Sequence, residues 1–263
     1  MIRKMRSLLW AFRYFDNFST YLELLRGRAK SVRCLLKTKD GISLLCRNNR
    51  WDVRIVTETF FDQVYGAGLR SIRRRRKPVV VDIGGYIGDF SLYAAKYLDA
   101  TVIVYEPVPE NYELSAENRR QNPWADLRIW NRAVATTAEV AINLERDGND
   151  LHASSYLYKR TNERIVVPAS RLDDVFAENN VERIDLLKID CEGGEYDILG
   201  TARDETLERI ENIVLEYHGI EDWQRKLDTM LDRLRSLAYS VRLDSDRCVV
   251  AARRIAPRVG PGC

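Results

Sequence analysis

The 263-residue chain carries 42 Lys and Arg against 39 Asp and Glu, a formal charge of +3, too even a balance for the whole chain to act as a polyanion binder, so nucleic acid is not an expected partner. A hydrophobic fraction of 45% with 31% charged residues is that of an ordinary soluble globule with a sizeable core. The five cysteines, Cys34, Cys46, Cys191, Cys248 and Cys263, form neither a CxxC pair nor a metal-ligand cluster, so they read as reduced thiols of a cytoplasmic protein. No apolar run approaches the ~20 residues of a membrane helix.

Residues 1–25 begin like a targeting segment, with Arg3, Lys4 and Arg6 ahead of Leu8, Leu9, Trp10 and Phe12. Arg13, Asp16 and Asn17 interrupt the apolar stretch, and no small-residue cleavage site follows. Leu8, Leu9, Phe12, Phe15, Tyr21, Leu22, Leu24 and Leu25 recur at near-helical spacing, which predicts an amphipathic helix or helix pair. Leu8, Phe12 and Phe15 are expected to pack on the core or on a second subunit, which makes this helix the candidate contact of a homo-oligomer. Packing is preferred over contact with an anionic membrane surface.

Strand-like runs at 32–37 and 42–46 flank Lys39-Asp40-Gly41, the signal of a tight hairpin. Helix-like text over 53–65 is expected to stop at Gly66 and Gly68. Arg73, Arg74, Arg75, Arg76 and Lys77 then follow in succession and read as a solvated basic linker. Residues 1–77 are thus a helical and hairpin extension.

From Pro78 the rhythm alternates. Strands are predicted at 79–83, 101–105, 127–130, 184–189 and 213–217, with helices at 90–97, 110–121, 171–178, 195–199 and 222–237. Residues 138–144 and 164–167 add a further pair of strands. Runs at 239–243 and 247–252 around Asp244-Ser245-Asp246 close the pattern as a hairpin. Repeated β-α-β text requires a mainly parallel sheet covered on both faces, an α/β Rossmann-like domain over 78–255. The Pro/Gly-rich residues 256–263 are expected to be a mobile tail.

Val79-Val80-Val81-Asp82-Ile83-Gly84-Gly85-Tyr86-Ile87-Gly88-Asp89-Phe90 is a buried strand, a glycine-rich turn and a helix start. A dinucleotide fingerprint beginning at Gly84 would need glycines where Tyr86 and Asp89 stand, so GxGxxG fails. No Walker lysine follows either. A cofactor without phosphate fits better. The sulfonium and ammonium of S-adenosylmethionine favour nearby carboxylates, and Asp82 and Asp89 meet that need. Glu106 ends the second strand, at the sheet edge where open α/β sheets bind ligands, and can accept from both ribose hydroxyls.

With Glu106-Pro107, Asn131-Arg132-Ala133-Val134, Leu186-Leu187-Lys188-Ile189-Asp190-Cys191-Glu192-Gly193-Gly194-Glu195 and Val214-Leu215-Glu216-Tyr217-His218, the chain resembles the FkbM family of methyltransferases over roughly residues 51–252. The Lys-x-Asp-x-Glu-Gly-x-Glu segment is the most specific part. The resemblance implies a class I fold of seven strands with the last one reversed. It also implies O-methylation of hydroxyls on sugars, polyketides and related metabolites. A cofactor site built from Asp82, Gly84, Gly85, Tyr86, Gly88, Asp89, Glu106, Pro107, Asn131 and Ala133 follows. Gly84-Gly85 stands where the family often has Gly-Ala, a mild departure.

Methyl transfer from a sulfonium is an in-line displacement that chiefly needs alignment, and an alcohol acceptor also needs a base. Asp190 and Glu192, after the fourth strand, are spaced to share one side of an extended segment. They could bind a cation, orient sugar hydroxyls or supply the base, so a divalent metal stays open. Glu195 reads as a helix cap. His218 ends the fifth strand, and its ordinary pKa near 6.5 suits a base at neutral pH. His152, in the polar loop 147–155, is a further candidate for the acceptor pocket. The leading reading is an O-methyltransferase of a small-molecule or glycan acceptor. An RNA or protein methyltransferase, or a catalytically silent nucleotide-binding protein, is the alternative.

Overall fold

The computed structural model describes residues 2–29, 31–72, 76–147, 150–155, 157 and 163–255. The tail 256–263 and Arg73, Arg74 and Arg75 of the basic run lie outside the described residues.

The chain opens with helices α1 (Ile2–Tyr14) and α2 (Phe18–Leu25), then the antiparallel hairpin β1 (Arg33–Lys37) and β2 (Ser43–Arg47). Phe15 is buried and Leu8 packs on the core, but Phe12 is 60% exposed, so the expected packing holds for only part of that face. Helix α3 (Arg50–Thr57) is capped by Asn49, whose side chain accepts from Asp52 N. It widens into a π-helical turn at Glu58–Asp62 before α4 (Gly66–Ile72).

The helix expected over 53–65 is thus the end of α3 followed by a π turn that closes at Gln63 (φ +48°), and Gly66 and Gly68 lie inside α4 instead of stopping a helix. A Cβ on Gly68 would meet Leu186 Cδ1 at 2.8 Å and Val214 Cγ1 at 2.9 Å. That glycine serves close packing of α4 on the sheet, a use that looks like a stop signal in sequence alone.

The remaining elements are β3 (Val79–Ile83), α5 (Asp89–Leu98), β4 (Thr101–Tyr105), α6 (Pro109–Gln121), β5 (Leu127–Trp130), β6 (Ala133–Val134), β7 (Glu139–Asp147), β8 (Asp150–Ser154), β9 (Glu163–Ser170), α7 (Val175–Asn179), β10 (Leu186–Ile189), α8 (Glu195–Thr201), α9 (Asp204–Glu208), β11 (Asn212–Glu216), α10 (Trp223–Ser236), β12 (Tyr239–Asp244) and β13 (Val249–Arg254). The central sheet has seven strands in the order β12-β13-β11-β10-β3-β4-β5. Only β13 runs against its neighbours, so the terminal hairpin inserts one antiparallel strand next to the edge.

Val79, Val80 and Val81 run continuously because β3 lies mid-sheet with both faces covered. One face shares a buried cluster with Phe15, Leu24, Leu44 and Val56 of the N-terminal elements, the other with α8 and α10. The register pairs Ile83 with Tyr105 and with Ile189, and Ile189 with Leu215. Gly84, Glu106, Asp190 and Glu216 therefore arrive at one edge, where the strand order reverses between β3 and β10.

A second sheet, β6-β9-β7-β8, stands beside this edge. Residues 147–155, expected as a polar loop, contain strand β8 paired with β7. Its ladder is stabilised by backbone bonds to an existing strand, which a polar composition does not reveal. His152 sits there opposite Glu145, and its side chain lies outside the described residues.

Candidate active site

The turn after β3 is held by backbone bonds. Gly84 and Gly85 both donate their N–H to Tyr105 O, at 3.0 and 3.2 Å. Gly84 has φ +79°, and a Cβ there would lie 1.7 Å from Asp190 O, so only glycine lets the turn touch the end of β10. Gly88 (φ +84°) precedes α5.

Glu106 ties this turn to the next. One oxygen accepts from Tyr86 N at 2.8 Å, the other from Val108 N at 2.9 Å. Burial pushes its carboxyl up to about 7, against the downward pull of those donors, Asn111 and Lys188. Asn131 donates to both Glu106 O and Pro107 O at 3.0 Å, holding the loop from behind.

These turns floor a cavity of about 400 Å³, within the range of small-molecule sites. Gly84, Gly85, Tyr86, Asp89, Glu106, Pro107 and Ala133 line it, as do Trp51, Arg54 and Glu58 from α3 and the π turn. Val140, Ile142 and Ser154 bring the second sheet to its wall. A π turn over a cavity is a common functional placement, and here it lets Thr59 donate to Asp89. Burial raises Asp89 to about 6, moderated by Thr59 and Lys188.

The opposite wall carries Asp190, Glu192, Glu216 and His218. His218 Nε2 is 3.8 Å from Asp190 Oδ1 and 3.6 Å from Glu192 Oε2. Its Nδ1 lies 3.3 Å from Glu195 Oε1, and its backbone N donates to the same oxygen at 2.8 Å. Burial alone would lower the imidazole. The Glu195 hydrogen bond and the charges of Asp190, Glu195 and Glu192 outweigh it and raise His218 to about 10. Tyr65 donates its hydroxyl to Asp190 Oδ2 at 2.8 Å and lies 3.4 Å from Glu216 Oε2. Burial raises both Glu192 and Glu216 to about 7.

Three expectations change. Asp82 does not line the cavity: it is buried, accepts from Ser91 Oγ and pairs with Lys188 Nζ at 3.0 Å. Lys188 also donates to Gly84 O at 2.8 Å, so the pair braces the glycine turn from inside the core. His218 is not a neutral imidazole at neutral pH, because carboxylates face both ring nitrogens. Glu195 is no simple cap: it is wholly buried, and its carboxylate joins Gly193 N to His218. Gly88 and Asn131 support the turns without lining the cavity.

Tyr65, Lys188 and Glu216 join the site without a role that their sequence context assigns. Lys188 and Glu216 stand in quoted motifs, whereas Tyr65 carries no local signal. Among the described residues, no group of three or more His, Cys, Asp or Glu is placed to hold a metal ion, and no helix is long and apolar enough to cross a membrane.

The donor set suits S-adenosylmethionine. The cavity combines carboxylates, which suit the cationic groups and ribose hydroxyls of that cofactor, with a glycine turn that leaves the floor clear. Sheet order, reversed strand and glycine turn together make this a class I S-adenosylmethionine-dependent methyltransferase fold. Residues 82–241, more than half of the chain, match the methyltransferase FkbM domain, and the chain belongs to that family.

It is 32% identical to "Methyltransferase 1" of Beauveria bassiana over 52% of this chain and 63% of that protein, so the chain spans less than two thirds of that relative. It is 28% identical to 31-O-demethyl-FK506 methyltransferase FkbM of Streptomyces tacrolimicus, covering 76% and 88%. It is 27% identical to the 2-O-methyltransferase NoeI of Sinorhizobium fredii, covering 63% and 74%.

Proposed function

We propose that the protein is an O-methyltransferase acting on a hydroxyl of a sugar, glycan or secondary metabolite. The observation that carries this reading is a single cavity shared by the glycine turn, Glu106 and the Asp190–Glu192–His218 group. The two relatives whose names specify O-methylation support it.

S-adenosylmethionine, when bound, supplies a methyl group on a sulfonium. Glu106 would accept from the ribose hydroxyls, and Pro107, Ala133 and the Gly84-Gly85-Tyr86 backbone would hold the nucleoside. Gly88, Asn131 and the buried Asp82 act indirectly, by fixing those turns. Asp89 places negative charge toward the cationic end. Trp51 and Arg54, stacked on one another at the cavity lining, would help orient the acceptor hydroxyl, the alignment on which this displacement depends. The base is drawn from Asp190 and Glu192, with His218 as their cationic neighbour and His152 the next candidate on β8.

Titration calorimetry tests the cofactor half. Adenosylhomocysteine should bind in the micromolar range or better while NAD does not bind, and Glu106→Ala should lose ~1.5–3 kcal/mol. Unchanged affinity in the mutant would remove the ribose assignment. An acceptor panel of sugars and hydroxylated metabolites tests the other half, and methylation of RNA or protein alone would overturn it.

A homo-oligomer formed through α1 belongs to the same reading. Leu9 is 56% and Phe12 60% exposed on that helix. Sedimentation of wild type and Phe12→Ser checks it: a monomeric wild type excludes the contact.

A further inference from the structure

We propose that Glu192, not His218, takes the proton of the acceptor hydroxyl, and that Glu195 is the positioning residue that fixes His218 as the cation beside it. This rests on the methyltransferase reading above.

Both imidazole nitrogens face carboxylate oxygens: Nδ1 faces Glu195, and Nε2 faces Asp190 and Glu192. A neutral ring would aim one nitrogen lone pair at a carboxylate, whereas an imidazolium donates from Nδ1 to Glu195 and turns its second N–H toward the charges of Asp190 and Glu192, 3.6–3.8 Å away. An imidazolium has no lone pair for a substrate proton.

The other carboxylates are engaged. Asp190 accepts from Tyr65 and has Lys188 Nζ at 3.8 Å. Glu216 shares the Tyr65 hydroxyl. Glu195 spends both oxygens on Gly193 N and His218. Among the described residues, none donates a hydrogen bond to the Glu192 carboxylate, and its side chain is 32% exposed on the cavity wall.

The turn that carries it is clamped. Glu192 has φ +55° and Gly193 φ +106°, with Ser154 donating to Glu192 O and Gly193 N bound by Glu195. A non-glycine residue in that region persists only where its surroundings hold it. Burial, with help from Asp190 and Glu195 and against His218, brings the Glu192 carboxyl to about 7, the basicity a neutral-pH base needs. Lys188, Glu216, Tyr65 and Cys191 also face this cluster, with Glu58 and Asp89 behind Glu216 and Tyr65, and the Tyr196 hydroxyl donates to His218 O.

In the step, the acceptor oxygen gives its proton to a Glu192 oxygen and bonds to the methyl carbon. The carbon–sulfur bond breaks with its electrons staying on sulfur. Carboxylate becomes carboxylic acid, and sulfonium becomes neutral thioether.

The chain has two histidines, so nitrogen-15 spectra of the full chain resolve His218 once His152→Gln identifies the other. The expected result is that both His218 nitrogens stay protonated past about pH 8, and that Glu195→Gln lets the ring titrate at lower pH. A wild-type midpoint near the ordinary 6.5 would overturn the proposal. In turnover, kcat/KM should rise through about pH 7 in wild type, and Glu192→Gln should lose ~10²–10⁴-fold with adenosylhomocysteine affinity kept. Near wild-type turnover in Glu192→Gln would also overturn it. The spectra need no turnover, so failure here and failure of the methyltransferase reading are separate results.

Discussion

The Tyr65 hydroxyl donates to Asp190 Oδ2 at 2.8 Å, joining the segment ahead of the sheet to the end of β10 across 125 residues of chain. Its ring stands edge-on to Phe90 and lies 5.3 Å from Lys188 Nζ. The N-terminal elements therefore supply a donor to the carboxylate wall as well as covering it. Tyr65→Phe keeps the ring and removes the donor. Stability in urea should fall by ~1.5–3 kcal/mol, the contribution of a hydrogen bond to a charged group. An unchanged unfolding midpoint would show that water replaces the hydroxyl at no cost.

Lys188 and Asp82 form a buried pair, with side chains 4% and 0% exposed. Lys188→Met leaves Asp82 in the core with the Ser91 hydroxyl but no countercharge. A loss of ~3–5 kcal/mol is expected. Asp82→Asn should cost less, because Lys188 keeps Gly84 O and Asp190. Urea unfolding of the two variants checks the order, and the reverse ranking would refute this account of the pair.

Gly85 is tied to Val104. A Cβ on Gly85 would lie 2.2 Å from Val104 Cγ1, so the Gly-Gly pair and the valine are matched in size. Gly85→Ala should destabilise by ~1–3 kcal/mol through overpacking. Val104→Ala in the same chain should recover part of that, with a coupling of ~0.5–3 kcal/mol in a double-mutant cycle. Simple additivity would mean that the backbone shifts to make room.

The site also sets a pH dependence of stability. Asp89 rises from 3.8 to about 6, Glu106 and Glu192 from 4.5 to about 7, and His218 from 6.5 to about 10. Each keeps its proton in the folded chain after the unfolded chain has released it. Their contribution is full below the unfolded value and is lost as pH climbs through the folded one. The melting temperature of the ligand-free protein should therefore fall steadily between about pH 5.5 and pH 9. A melting temperature that rises over that interval would contradict the raised values. Glu192→Gln and Glu106→Gln should each flatten the acidic half of the slope.

Much of this protein is legible from local text. Val79 to Val81, with two covered faces, reads as a buried parallel strand because no alternation is needed there. Tyr86 and Asp89 exclude a dinucleotide turn by identity alone. The strand-end positions of Gly84, Glu106, Asp190 and His218 follow from counting along alternating elements, since parallel strands must end on one edge. Gly68 and β8 are not legible there, because close packing and edge pairing depend on a neighbour, not on composition.

What only the tertiary structure decided is which charges meet. Glu195 and His218 are 23 residues apart, and no local pattern says that one carboxylate will bind both the backbone and the ring of the other. Asp82 looks as available as Glu106 in sequence, yet Lys188 takes it into the core. The raised pKa of His218 comes from the same packing. Spacing along the chain places a side chain at an edge, but its charge state depends on burial and on every neighbour the fold brings within a few ångströms.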